Sequence, residues 1–470
     1  STIGCDHPVF GLLCQIVRLR LPARATNHGV LTRVIATRRR ASDNDDNSSQ
    51  PVAMHILLQP PAQPPSLNPA ELARIVAAAP HRLLFLGGAT AVLLAMTWWA
   101  LWLAASTSGA FAMPQPAIPA GWAHALGMQY QALPMFMFGF LLTVFPRWMG
   151  QPAYTRWHYL PVGGCLFAGY LAFHAGLFGA PAMVHIGWVM TLVGWLTGLV
   201  LLLRLLWLDG GRTYHAIACW VALALGFVGL VLTARYLHGA SARELFGAIK
   251  LGTFGLLLPI YLTVCHRMLP FFSQAVIPGY RVWRPGWILA AMLALVFGHL
   301  LLELAHAYAW LWLVDLPLAA LAAVLVVRWR FLDARRVRLL FVLHWGFAWL
   351  PVAMLLYAAQ SAWFAWSGEF VLGRAPVHAL SVGFFGSLLV AMVTRVTQGH
   401  SGRPLEMGRI PWLCFWLLQG VVLLRIASEI LPNAPLWLAL SAAGWVLAFL
   451  PWVLRSAWIY LTPRVDGAPG

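Results

Sequence analysis

GWAHALGMQYQALPMFMFGFLLTVFPRW, from Gly121 to Trp148, decides the fold. A helix rises about 1.5 Å per residue, so roughly 20 apolar residues cross a hydrocarbon core of about 30 Å. Between Trp122 and Pro146 the only strongly polar side chains are His124, Gln129 and Gln131. The stretch therefore reads as a transmembrane helix with an imidazole near one end. Facing lipid, that imidazole has no partner for its ring nitrogens. It belongs in the bundle interior, where it hydrogen-bonds, relays protons or ligates a metal.

The same character recurs down the chain. Hydrophobic residues make up 61% of the sequence and charged residues 10%, against roughly 25% charged in a soluble domain, so this is a polytopic membrane protein. The net charge of +17 raises the question of nucleic acid, which requires basic residues clustered on one folded face. Here the 31 basic residues fall in short patches between apolar runs, and Lys250 is the one lysine among them. That pattern fits membrane topology and excludes a nucleic-acid partner. The six cysteines show no CxxC or CxxCH spacing, so neither covalent c-type haem nor a thiolate zinc site is encoded.

Residues 1–53 are a different material, arginine-rich (RVIATRRR) and then polar (SDNDDNSSQP), and read as disordered. Because Met54 precedes a Pro-rich leader, residues 1–53 are candidates for an upstream extension; a basic arm on anionic lipid is the other reading. The chain divides into a leader (1–80), a membrane domain (81–461) and a short tail (462–470). Within the domain twelve apolar segments follow one another, at about 81–105, 122–146, 158–179, 182–208, 213–238, 246–270, 286–305, 308–328, 338–360, 374–396, 410–431 and 435–460. The expected fold is an all-α polytopic membrane bundle of about twelve transmembrane helices. Connections such as Gly179–Pro181 and His306–Tyr308 are barely a turn, so the segments they join form antiparallel hairpins.

Charge sets the orientation. Arg147 and Arg156, Arg204 and Arg212, Arg267 with Arg281 and Arg284, Arg328 to Arg338, Arg395 to Arg409, and Arg455 with Arg464 occupy alternate loops. The opposite loops carry little beyond Arg235, Arg243, Lys250 and Arg374. By the positive-inside rule both termini are cytoplasmic.

That topology gives each histidine a depth. Near the outer surface lie His124, His174, His185, His238, His306 and His378; near the inner surface lie His158, His215, His266, His344 and the loop residue His400. Imidazoles from several helices are what a haem or copper site in a bundle core requires. His158, His174 and His215 sit at boundaries where wet headgroups satisfy an imidazole. His124 and His378 lie about a turn inside apolar runs, where a ligand or relay role competes with hydrogen-bonded packing. His299, Glu303 and His306 fall at i, i+4 and i+7 on one helix face. They can ligate metal, carry protons or form a satisfied polar seam. Glu429 and Asp315 are intramembrane acids without an assigned role, and Met135 to Phe138 (MFMF) reads as core packing rather than a copper thioether site. No phosphate loop or nucleophile motif lies in the connections, so any chemistry happens within the bundle.

Four stretches together resemble the NnrS family, bacterial membrane proteins tied to nitric oxide metabolism and described as containing haem and copper. GFLLTVFPRWMGQP (Gly139 to Pro152) resembles that family's GFLLT-x-x-P-x-W-x-G signature, CHRMLPFFS (Cys265 to Ser273) its GGR-x-x-P-x-F-T stretch, and VLHWGFAWL (Val342 to Leu350) its LH-x-x-YAW stretch. VHALSVGFFG followed by MVTRVTQGHSGRPL (Val377 to Leu405) resembles the block LHALTVGA…MTR-x-x-LGHTGRPL, the most specific of the four. The family's polar positions then fall on His124, His238, Arg267, His344, His378, Arg395 and His400. One departure stands out. Where the family has HAHEM, this chain has HALGM (His124 to Met128), with Leu126 and Gly127 in place of the second histidine and the acid. This weakens the case for copper relative to haem. His299, Glu303 and His306 match no motif position.

The resemblance implies a multi-pass protein of the bacterial cytoplasmic (inner) membrane that holds haem b, with copper as the second candidate, and that binds, reduces or detoxifies nitric oxide or a similar small gas. Its enzymatic form would be a nitric oxide reductase-like oxidoreductase with an outside electron donor, since no electron-carrier domain is encoded. The expected outer site draws on His124, His238 and His378, and a second, inner site on His344 with His266 or His400. Metal ligands are expected among His124, His344, His378, His299, Glu303 and His306. Arg267 and Arg395 pair with haem propionates, or else serve as ordinary positive-inside anchors. The competing reading is a histidine-lined transporter or assembly factor for a metal or small solute. Against it, the histidines gather toward the two faces rather than the midplane, and no internal repeat is evident.

Overall fold

The computed structural model describes residues 68–467. The disorder expected of residues 1–53 and the last residues of the tail lie outside the described residues. The described part of the leader already holds a helix, α1 (Pro69–Val76), so disorder does not run up to residue 80. Asn68 opens α1, its Oδ1 accepting from the N–H of Ala70 at 3.0 Å, with proline at the first helical position, where no N–H is needed.

All regular structure among the described residues is helical. After α1 come α2 (Pro80–Ser108), α3 (Ala120–Trp148), α4 (Arg156–Gly176), α5 (Pro181–Asp209), α6 (Tyr214–Leu237), α7 (Ala242–Gln274), α8 (Gly286–Leu304), α9 (Trp312–Arg328), α10 (Arg338–Ser367), α11 (Ala375–His400), α12 (Arg409–Ala427) and α13 (Ala434–Leu461). Ten of them are long and apolar enough to cross a membrane. The remaining two of the twelve expected segments are α4 and α9, and neither is among the ten. α4 carries Arg156, His158 and Pro161 in its first turns; α9 is 17 residues long because Tyr308–Trp310 forms a 3-10 turn instead of extending it. The outer helices wear apolar side chains outward: on α5, Ile186, Val189, Val193, Leu196, Leu203 and Trp207 are exposed at helical spacing. In water such a stripe is a liability; in a bilayer it is the lipid face.

Three helices form the centre. α3, α7 and α11 are buried over 83%, 78% and 67% of their apolar windows, against 39% to 56% for the other seven. Setting α1 aside, they are the second, sixth and tenth helices, so the same arrangement recurs every four. Each changes to π geometry partway, over Gly127–Ala132, Leu251–Leu257 and Ala379–Gly386. The sequence accounts for two of these. Pro134 and Pro259 stand just after their π segments, and a proline ring cannot donate to, and clashes with, the carbonyl four residues back. That carbonyl in α3 is Tyr130, and the indole N–H of Trp195 on α5 takes it at 2.9 Å. The first two π segments touch: Gln129 Nε2 donates to Thr253 Oγ1 at 2.8 Å, and a Cβ on Gly252 would overlap the Gln129 amide.

The alternation of charge is borne out in space as one arginine-rich end. There Arg82 donates to the carbonyls of Tyr460 (3.3 Å) and Thr462 (3.0 Å), and Arg464 donates to that of His400 (2.9 Å). Arg267 of α7 stacks over Trp148 of α3 at 4.3 Å, and Arg395 of α11 over Phe272 of α7 at 3.9 Å.

Candidate functional site

Histidines from different helices meet in pairs. At the arginine-rich end the rings of His81 (α2) and His400 (α11) lie 4.3 Å apart. His215 (α6) and His266 (α7) are bonded ring to ring, Nε2 to Nδ1, at 3.0 Å. At the opposite end His185 (α5) faces His238, which closes α6, at 5.2 Å between centroids.

His124 and His378 stand at that opposite end, near the starts of two central helices. Arg374 Nη1, just before α11, lies 3.9 Å from where a Cβ on Gly121 would stand, which puts the start of α11 against the start of α3. His124 stacks on Trp99 of α2, centroids 4.9 Å apart and planes 8° from parallel, and its Nδ1 is buried without a hydrogen-bond partner. His378 Nδ1 lies 2.9 Å from the carbonyl oxygen of Arg374. A carbonyl only accepts, so the neutral ring keeps its proton on Nδ1 and presents Nε2 as a bare lone pair. Both rings and the Arg425 guanidinium lie within electrostatic range of one another. Arg425 is bonded to Glu429 at 2.6 Å and to Ser428 at 2.8 Å. Glu429 packs under Gly373, whose φ of +42° and lack of a Cβ leave room for the carboxylate.

These residues are of the kinds that hold a haem. An imidazole nitrogen with a free lone pair could hold a haem iron, and a hydrogen bond that fixes the ring tautomer strengthens such a ligand. His124 has an orphaned ring nitrogen, His378 a dictated tautomer, and Arg374 and Arg425 bring guanidinium groups that match propionates. Among the described residues no group of three or more His, Cys, Asp or Glu side chains is placed to hold a metal ion.

Several expected groupings do not form. His238 turns to His185 instead of joining His124 and His378. The inner set is divided three ways: His400 goes to His81, His266 to His215, and His344 Nε2 to Ser273 Oγ at 3.0 Å. Since Ser273 gives its one proton to the Leu269 carbonyl (2.9 Å), it accepts from His344, whose Nε2 is thereby occupied. Arg267 and Arg395 stack on aromatics at the arginine-rich end, away from His124 and His378. The stripe of His299, Glu303 and His306 also splits. His306 bonds Tyr308 at 2.9 Å and stacks on Phe246, whereas His299 and Glu303 join Asp315 and Lys250. Sequence reasoning missed Arg374 and Arg425 because arginines near helix ends look like topology anchors; the sequence clue is the i, i+4 spacing of Arg374 with His378 and of Arg425 with Glu429.

Between the central helices lies an apolar cavity of about 70 Å³, walled by Phe136 and Phe140 of α3, Tyr261 and Cys265 of α7, and Leu389 and Met392 of α11. No histidine lines it.

A family model described as NnrS protein matches residues 75–464. No curated protein and no solved structure matches the chain.

Proposed function

The chain belongs to the NnrS family, which ties it to nitric oxide metabolism, and from that premise we propose that it is a haem b protein of the bacterial inner membrane that captures nitric oxide. The observation that carries this reading is that His124 and His378, near the starts of two central helices, lie within electrostatic range of each other, one with an orphaned ring nitrogen and the other with a fixed tautomer. When bound, the haem would supply an iron that takes nitric oxide as a ligand.

The chain's own residues do the rest. Trp99 holds the plane of the His124 ring, and the Arg374 carbonyl keeps the His378 proton off Nε2. Arg374 and Arg425 would take the propionates, with Glu429 holding Arg425 in place. The cavity between α3, α7 and α11, which no histidine lines, is a store for the gas apart from the two histidines. At about 70 Å³ it admits a diatomic molecule, and its walls offer water almost no hydrogen bonds, whereas an apolar gas needs none. Nitric oxide dissolves in lipid, so it reaches the cavity sideways without an aqueous channel. Turnover to a reduced product would further require an electron donor from outside the chain.

The test is spectroscopic. Protein purified from haem-replete membranes is expected to carry a haem absorbance that shifts on adding nitric oxide. His124→Ala and His378→Ala are each expected to lose that absorbance, while His344→Ala, whose ring is bonded to Ser273, retains it. Wild-type protein without haem, or haem retained in both His124→Ala and His378→Ala, sinks the proposal.

A further inference from the structure

Four ionisable side chains from three helices form a line at the end opposite the arginine-rich one. Lys250 of α7 donates to Glu303 Oε1 at 2.7 Å. Glu303 Oε2 faces His299 Nε2, one turn back along α8, at 3.7 Å. His299 Nδ1 lies 2.6 Å from Asp315 Oδ1 on α9. Lys250 is partly exposed, Glu303 is within a turn of the loop that joins α8 to α9, and His299 and Asp315 are fully buried.

The chemistry of this line is unfinished at its centre. His299 Nε2 and Glu303 Oε2 are both buried and neither has a hydrogen-bond partner; Asp315 Oδ2 is in the same condition. With Asp315 accepting the proton on Nδ1, a neutral His299 points a bare lone pair at the lone pairs of a carboxylate. Two acceptors facing each other in an apolar interior repel. A proton between them resolves the conflict, and its removal restores it, which is the behaviour of a site that loads and unloads protons rather than of a closed ion pair. Every group facing it is compatible with this: Lys250 from α7, Tyr357 from α10, its ring 5.0 Å from that of His299, and Tyr308 from the α8–α9 connection, within electrostatic range of Glu303. The far side of the His299 ring packs 3.8 Å from Phe254, inside the π segment of α7.

We propose that Lys250, Glu303, His299 and Asp315 form a proton-loading chain, entered from the α8–α9 connection and ending at Asp315 on α9. A proton reaching Glu303 passes from its Oε2 to Nε2 of His299, whose Nδ1 proton passes to Oδ1 of Asp315. One O–H bond and one N–H bond break as one N–H and one O–H form, and a ring flip of His299 resets the chain. No metal or redox partner takes part, so this goes beyond the haem reading and stands or falls apart from it.

Dicyclohexylcarbodiimide, which reacts with protonated carboxyls in apolar surroundings, tests it on the intact protein in its membrane, with labelled residues located by peptide mass spectrometry. Near neutral pH the wild type is expected to be labelled at Glu303 and Asp315, the rate falling about tenfold per pH unit once the carboxyl is mostly ionised. His299→Gln, which removes both the ring that hands the proton on and the partner that favours the Asp315 carboxylate, is expected to speed labelling at Asp315 and keep it at Glu303. Lys250→Met removes the cation that favours the Glu303 carboxylate and is expected to speed labelling there. A wild type with neither acid labelled near neutral pH has a static ion network, which overturns the proposal whatever the variants do; so does unchanged labelling of Asp315 in His299→Gln. Haem content plays no part in the readout.

Discussion

Trp345 and Trp349, one turn apart on α10, aim their indole N–H groups at a single oxygen, Oε1 of Gln419 on α12, at 3.0 and 2.7 Å. The amide nitrogen of the same side chain donates to Ser387 Oγ on α11 at 2.9 Å. One glutamine thus ties three helices through four polar groups that lipid cannot satisfy. Gln419→Leu keeps the volume and leaves two indole donors buried without an acceptor. Each orphan costs about 1–3 kcal/mol in water-based measurements, and interhelical bonds in membranes average nearer 0.6 kcal/mol. An overall loss of about 1–3 kcal/mol is therefore expected, read as a lower unfolding midpoint in detergent; Gln419→Glu, which keeps the acceptor, should lose less. At this scale the sequence was half legible. It put His124, His299 and His378 inside apolar runs and left each needing a partner, but a partner depends on which way each helix is turned. In α8 one turn separates Glu303 and His306, yet the helix ends at Leu304 and His306 takes a positive φ of 55°, which throws it out of the stripe.

Hairpins such as α4–α5 show how elements approach when the hydrophobic effect cannot drive them together. Between lipid-facing helices the attraction is van der Waals contact, which falls off within an ångström, so small residues must line the crossing. Here Gly169 and Gly187 face each other: a Cβ on Gly169 would sit 2.8 Å from the Gly187 carbonyl, and one on Gly187 would overlap the backbone of Phe173. Gly176 meets Val184 in the same way. Gly187→Leu is expected to destabilise by about 1–3 kcal/mol or more through overpacking. Gly164→Ala, on the same hairpin with nothing within 4 Å of its Cβ, is expected to be neutral or to gain up to about 1 kcal/mol from helix propensity. Thermal unfolding of the two variants beside the wild type checks both signs. The hairpin itself could be read from the short Gly179–Pro181 connection. The π segments could not, because hydrophobic periodicity reports which face is buried, and on α3, α7 and α11 nearly every face is. Only Pro134 and Pro259 hinted at a break in the ladder, and α11 has no proline there.

Across the whole molecule, apolar length and charge asymmetry recovered the linear order of the helices to within a few residues, since both are properties of a one-dimensional string in a layered solvent. The central position of the second, sixth and tenth helices was not visible in that string. It arises from a closure in three dimensions, with one central helix in every four, and the aligned polar residues differ enough among α3, α7 and α11 to hide the recurrence. That closure requires strict alternation: a helix out of phase would bring an arginine cluster to the wrong end. Arg464 meets His400 at one end, and Arg235 pairs with Glu244 at the other. The positive-inside rule predicts that the arginine-rich end faces the cytoplasm. Ser241 in the α6–α7 connection and Glu406 in the α11–α12 connection are exposed at opposite ends, and the described native cysteines are buried or half-buried. A membrane-impermeant maleimide added to intact cells is therefore expected to label Ser241→Cys strongly and Glu406→Cys only after lysis. Equal labelling of both in intact cells would break the alternation, and labelling of Glu406→Cys alone would turn the molecule over, placing His124 and His378 on the cytoplasmic side.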